Sequence, residues 1–260
     1  MQHRPRKRFG QNFLRDRRVI DRIIDSIAPA PADLLLEIGP GRGALTEPLL
    51  ASGAELHVIE IDRDLVAALR QRFDEGRLHI HNRDALKSDL ASIAGLRPFR
   101  LVGNLPYNIS TPLIFHCLRW SQQIRDMHFM LQKEVVDRLA AEPGSRTYGR
   151  LSVMARYRCR VAPLFEVMPE SFAPAPKVSS VFLRLLPHDK PPFDAGAEGS
   201  LDRVVAAAFN QRRKTLRNAL KTVLSAEQIQ AAGVDPGQRA EQLHLAQFCA
   251  LARLLSDGAD

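Results

Sequence analysis

The sequence predicts an α/β protein, a mostly parallel sheet covered by helices and followed by a small all-helical domain. Three observations carry this. Short β-rich runs alternate with segments of helical spacing through the first part of the chain. Two strand-like runs then follow with no helix between them. A stretch rich in Pro, Gly and charge comes next, and beyond it only helical patterns remain.

The first strand is Leu34–Ile38, a short apolar run ending in glycines; the next are 57–61, 78–81, 100–102 and 127–131. Between them, 44–51, 64–73, 112–121 and 133–141 carry helical spacing. Strands separated by helices of this length imply a parallel sheet with helices on both faces. The runs 157–167 and 178–186 read as an antiparallel pair at a sheet edge, because a loop without a helix joins them. Residues 187–200 read as a linker. Segments 201–209, 214–224, 226–232 and 245–255 then form the helical domain. The expected division is a main domain over 1–190, a linker over 191–200 and a helical domain over 201–260.

The chain has 260 residues, 45% of them hydrophobic and 25% charged, the mix of a globular protein with one sizeable core and a small appendage. It has no apolar run of the ~18 residues a membrane span needs. Its basic start lacks the apolar segment of a secretory signal. Cys117, Cys159 and Cys249 are odd in number and far apart, as reduced thiols in a cytoplasmic protein would be. The histidines show no metal-ligand spacing; His79 and His81 alternate within a strand and read as structural, so no metal is expected. The net charge is +8. It is concentrated in two clusters, one around Arg4, Arg6, Lys7 and Arg8 and one at Arg212, Arg213, Lys214 and Arg217. Clusters this dense repel themselves, which points to a polyanionic partner.

Glu37–Gly43 (EIGPGRG) follows the first strand and opens a helix. Gly39 and Gly41 permit a sharp turn and close approach of a ligand to the backbone. Glu60 ends the second strand, where a carboxylate can accept hydrogen bonds from both hydroxyls of a ribose. This much fits an NAD enzyme as well as a methyltransferase. Asp84, after the third strand, favours the latter, since it could accept the amino group of a cofactor adenine; its alternative role is a helix N-cap. Asn104-Leu105-Pro106-Tyr107-Asn108 follows the fourth strand. The Asn104 side-chain oxygen and the Leu105 carbonyl can accept the two N–H groups of an adenine amine, while Tyr107 offers a stacking face. Phe172, in a Pro-rich loop, could cover the other face of the base or simply pack.

Taken together, these residues resemble the ribosomal RNA adenine dimethyltransferases of the bacterial KsgA type. Further matching motifs are 9–14 (FGQNFL), 148–152 (YGRLS), 172–178 (FAPAPKV) and 210–217 (NQRRKTLR), so the likeness covers nearly the whole chain. The resemblance implies a Rossmann-like class I S-adenosylmethionine-dependent methyltransferase domain, with a seven-stranded sheet whose last strand is antiparallel. It implies dimethylation of two adjacent adenosines in the 3′-terminal hairpin of 16S rRNA, on an assembling small ribosomal subunit, by a monomer. Asn12 and Leu14 would close over S-adenosylmethionine, with Gly39, Gly41, Glu60, Asp84 and Asn104 lining its site. Asn104, Leu105, Tyr107 and Phe172 would hold the target base. Arg42 stands where the family often has an uncharged residue. The nearest alternatives are a methylase of 23S rRNA and a non-catalytic assembly factor.

Overall fold

The computed structural model describes residues 11–74, 76–197 and 199–257. The cluster at Arg4, Arg6, Lys7 and Arg8 lies outside them. In chain order the elements begin with β1 (Phe13–Leu14), α1 (Arg17–Ile27), β2 (Leu34–Ile38), α2 (Thr46–Ala51), β3 (Glu55–Glu60), α3 (Arg63–Arg72) and β4 (Leu78–Asn82). They continue with α4 (Leu90–Ile93), β5 (Phe99–Asn104), α5 (Ser110–Leu118), β6 (Ile124–Gln132), α6 (Lys133–Leu139), α7 (Arg150–Arg158), β7 (Cys159–Val167), β8 (Phe172–Ala173) and β9 (Ser180–Pro187). The last four are α8 (Ser200–Asn210), α9 (Leu216–Ala219), α10 (Ala226–Ala231) and α11 (Leu245–Asp257).

The seven-stranded sheet has the order β4-β3-β2-β5-β6-β9-β7. From β4 to β6 every pairing is parallel, and β9 runs antiparallel to β6, pairing Met127 with Leu185 and Gln132 with Ser180. β2 is buried along its whole length, as a central parallel strand covered on both faces must be. The parallel sheet with one antiparallel strand near its edge is thus the fold that the alternation predicted. β1 and β8 form a separate two-stranded pair, with Leu14 opposite Phe172.

Several elements were not legible in the sequence reading, α1 and α7 among them. α1 buries Ile20, Ile23 and Ile27 at helical spacing, and the Asp16 side chain caps its first turn by accepting from the Arg18 and Val19 N–H groups. Its dense arginines hid that apolar stripe. α7 occupies residues read as loop and strand start, so β7 begins at Cys159 rather than at 157. The helix expected over 214–224 is reduced to the short α9 and the turn after it, and Lys214 lies in the bend that precedes α9.

The chain divides into two compact units, one of residues up to Val136 with Val161–Pro187, the other of Asp137–Arg160 with His188 onward. This differs from the expected boundary at 190. Tyr148 and Val153 share a core with Leu201, Val204, Leu243 and Phe248, and the Tyr148 hydroxyl donates to the Leu243 carbonyl at 2.9 Å. The first unit has its own core, in which Ile23, Leu35, Leu49, Leu56 and Val102 take part. Among the described residues, no helix is long and apolar enough to cross a membrane.

Candidate active site

In a parallel α/β sheet the strands end in loops that leave a crevice at their carboxyl edge. Here that crevice is a cavity of about 230 Å³ at the ends of β2, β3 and β5, bordered by residues 11–14. Asn12, Leu14, Gly39, Gly41, Glu60, Asp84, Asn104, Leu105 and Tyr107, all expected from the sequence, line it together.

The floor is set by backbone geometry. Gly41 has φ +57°, and a Cβ on it would lie 3.0 Å from the Phe13 ring, so glycine lets Phe13 pack directly on the turn. The Gly41 N–H donates to Glu60 Oε2 at 3.3 Å and the Asp62 N–H to Oε1 at 2.9 Å. One bond to each oxygen fixes the carboxylate plane and leaves both oxygens further lone pairs for hydroxyl donors. Burial raises the Glu60 pKa, and the two backbone N–H groups oppose that rise. Asp84 takes the capping role that was its alternative reading. It caps the following turn through the Leu86 N–H at 3.0 Å, and it borders the cavity. Ile61, 47% exposed, and Leu86 add apolar surface to the same cavity lining. The sequence reading missed Ile61, though an exposed β-branched residue after the acidic strand end was the available signal.

Glu37 was read only as the opening of the glycine motif. It is 1% exposed, borders the same cavity and accepts the Thr46 hydroxyl at 2.6 Å. Burial pushes its pKa up to about 7, with the Thr46 bond opposing and the Glu60 charge adding to the rise.

At the end of β5 the Asn104 Nδ2 donates to the Asn12 carbonyl at 2.9 Å. An amide facing a carbonyl must present its nitrogen, so Oδ1 is left as the acceptor end. A Cβ on Gly103 would lie 2.5 Å from the Ile38 carbonyl oxygen; glycine therefore lets β5 approach β2 closely enough to place Asn104 over the cavity. The Tyr107 hydroxyl bonds Ser180 Oγ at 2.6 Å, which holds the ring at the cavity border, and burial raises its pKa.

Phe172 is a correction. It is 1% exposed and packs in the first unit's core with Leu14, Ile20 and Phe182. It is absent from the cavity lining. The β1–β8 pairing buries it in that core, so in this conformation it does not face Tyr107 across the cavity. Arg42, for which the sequence reading had no account, lies with its guanidinium 4.7 Å from the Phe13 ring centre at the cavity border. In the second unit, Arg213, Lys214 and Arg217 are exposed. Arg212 is exposed as well, and it pairs with Glu241 at 3.1 Å and donates to the Arg146 carbonyl.

Residues 2–257 match the family described as ribosomal RNA adenine dimethylase. The chain belongs to this family. Relatives of this dimethylase chain include the ribosomal RNA small subunit methyltransferase A of Methylococcus capsulatus, 59% identical and covering 98% of this chain and 100% of its own. That of Pseudomonas aeruginosa is 58% identical, with 98% and 96% covered. Among solved structures, the 23S rRNA methyltransferase ErmE superposes with TM-score 0.70 at 27% identity, covering 94% of this chain and 99% of its own. A dimethyladenosine transferase from Plasmodium falciparum gives TM-score 0.75 at 24% identity, with 92% and 95% covered. The fold of the dimethylase is the Rossmann-like methyltransferase fold.

Proposed function

We propose that this protein transfers methyl groups from S-adenosylmethionine to the amino groups of two adjacent adenosines in the 3′-terminal hairpin of 16S rRNA. It acts as a monomer on an assembling small ribosomal subunit, with its helical unit supplying RNA contacts. The observation that carries the reading is the fixed Asn104 amide at the border of a cavity that also holds Glu60 and Asp84. The donor set suits the cofactor: Glu60 for ribose hydroxyls, Asp84 for an adenine amine, Ile61 and Leu86 for its ring faces, and Asn12 and Leu14 as cover. When bound, the cofactor supplies a methyl group on a positively charged sulfur.

An adenine amine is a poor nucleophile because its lone pair is delocalised into the ring. Asn104 Oδ1 and the Leu105 carbonyl accept its two N–H bonds, draw the nitrogen towards a tetrahedral shape and aim its lone pair. That is catalysis by positioning and by preorganised dipoles. Tyr107 stacks on the base, worth roughly 1–3 kcal/mol. Once methylated the nitrogen is cationic and acidic, and it releases its proton to water without a dedicated base.

The relatives named for the small subunit, at 58–59% identity, favour 16S rRNA over the large-subunit reading that the ErmE likeness raises. The test is incubation with methyl-labelled S-adenosylmethionine and either small subunits lacking the modification or large subunits, followed by mapping of the labelled bases. Label on two adjacent adenosines of 16S rRNA is expected, with at least ~10²-fold slower single turnover in Asn104→Ala. Label on 23S rRNA, or none, would overturn the assignment; an unimpaired Asn104→Ala would overturn the mechanism.

A further inference from the structure

Outside the cavity, where β3 meets the edge strand β4, four metal-binding side chains gather on one face of the sheet. The parallel register sets His57 opposite His79. The two-residue period of a strand puts Glu55 beside His57 on β3, and His81 beside His79 on β4. The His57 ring centre is 4.5 Å from that of His79 and 5.3 Å from that of His81. One ligand atom each from Glu55, His57 and His79 lies within 4.8 Å of the others. None of the four borders the methyl-transfer cavity, and no step of that reaction uses them.

The hydrogen bonds order this cluster. His57 Nε2 is 3.2 Å from Glu55 Oε1, and its Nδ1 is 3.1 Å from His81 Nε2. A ligating histidine ordinarily donates its other ring N–H to a neighbour, which fixes tautomer and ring orientation. His81 Nε2 is placed to accept such a proton from His57 Nδ1. That leaves the His57 Nε2 lone pair directed to the side where Glu55 and His79 converge. Two imidazoles and one carboxylate form a donor set of three protein ligands with a fourth position for water, which suits zinc. We propose that Glu55, His57 and His79 bind one divalent transition-metal ion, Zn²⁺ by donor set, with His81 as the residue that orients His57.

Arg97 sharpens the proposal. Its Nη2 lies 2.7 Å from Glu55 Oε1, so it neutralises the carboxylate when no ion is bound and competes with the ion for it. Removing Arg97 therefore strengthens binding. The ion ties the edge strand β4 to β3, the pair whose ends carry Glu60 and lead to Asp84. Because it binds the folded pair and not the separated strands, it raises the melting temperature.

The experiment uses the full chain stripped with chelator. Zn²⁺ is titrated by calorimetry, Co²⁺ by visible absorption, and thermal melting is followed at each step. One saturating ion per chain is expected, with Co²⁺ bands of a four- or five-coordinate nitrogen–oxygen site. His79→Gln and Glu55→Gln weaken binding about tenfold or more, and Arg97→Met tightens it severalfold. His81→Phe, which keeps the ring stack, weakens binding on the order of 10–100-fold, the effect of losing an orienting partner. His79 is exposed, so its variant tests the site without risk to the core. Absence of saturable binding would overturn the proposal. So would binding of equal strength in wild type and His79→Gln, which would place the ion on other histidines or on the three buried cysteines.

Discussion

Glu37 sits at the meeting point of core and cavity: almost fully buried, held by one hydroxyl, and close to the charge of Glu60. Burial lifts its pKa from an ordinary 4.5 to about 7. Below pH 4.5 the carboxyl is protonated in both folded and unfolded chains, and its contribution to stability is fully present. As the pH rises through about 7 the unfolded chain has already released the proton, and the fold loses up to ~3 kcal/mol. Glu37→Gln keeps an acceptor for Thr46 and removes the titration. Chemical denaturation without cofactor should therefore show the variant gaining on wild type by ~3 kcal/mol between pH 4.5 and 8.5. A difference that stays flat across that range would contradict the shift. Gly103 shows the same coupling in backbone form, since the 2.5 Å approach to Ile38 that only glycine permits is what sets the position of Asn104.

At the scale of elements, the two-residue strands β1 and β8 matter more than their length suggests. Their pairing brings Asn12 and Leu14 to the cavity border, and the Ser171 carbonyl receives the Arg15 and Asp16 N–H groups just beyond. It also buries Phe172. Phe172→Ala should then cost ~3–5 kcal/mol of stability through the cavity it leaves, with Phe172→Leu milder, both read by urea denaturation. If Phe172→Ala were nearly neutral for stability yet slowed methylation strongly, a second stacking face for the base would be restored. α7 makes the complementary point: its residues precede β7 in the chain, yet Val153 belongs to the helical unit's core. The sequence-based domain boundary followed chain order, whereas burial followed packing.

For the whole molecule, the proposed function gives the motifs at the cavity an adenine to hold, and they offer too few contacts to select one site in a ribosome. Phosphate contacts from flanking surfaces set position and register. Arg212, Arg213, Lys214 and Arg217 are all exposed, and Arg212 also pairs with Glu241, so Arg213, Lys214 and Arg217 are the residues to reverse. Charge reversal of those three exposed residues should weaken small-subunit binding. It should also make its log–log dependence on salt shallower by roughly two to three, about 0.7–0.9 per lost phosphate contact. S-adenosylmethionine affinity should stay unchanged, because the cavity is lined only by residues of the first unit. Equal salt slopes for wild type and variant would mark the cluster as a solvated surface.

By itself, the sequence determined the α/β class and the parallel sheet, and it singled out Gly39, Gly41, Glu60, Asp84 and Asn104, which the fold brings to one cavity. Those features are local: hydrophobic runs of strand length, glycines at a turn, and an acid or asparagine at a strand end are each set within a few residues. Tertiary structure decided the rest. Whether Phe172 faces a base or a core depends on its pairing with β1, more than 150 positions earlier in the chain. That Arg212 pairs with Glu241 depends on the fold of the second unit, and whether His57, His79 and His81 meet depends on the register of two strands separated by α3. The role of Glu37 follows from desolvation, which only the assembled layers produce. Contacts between residues distant in the chain are fixed by packing, and a single sequence carries no local mark of them.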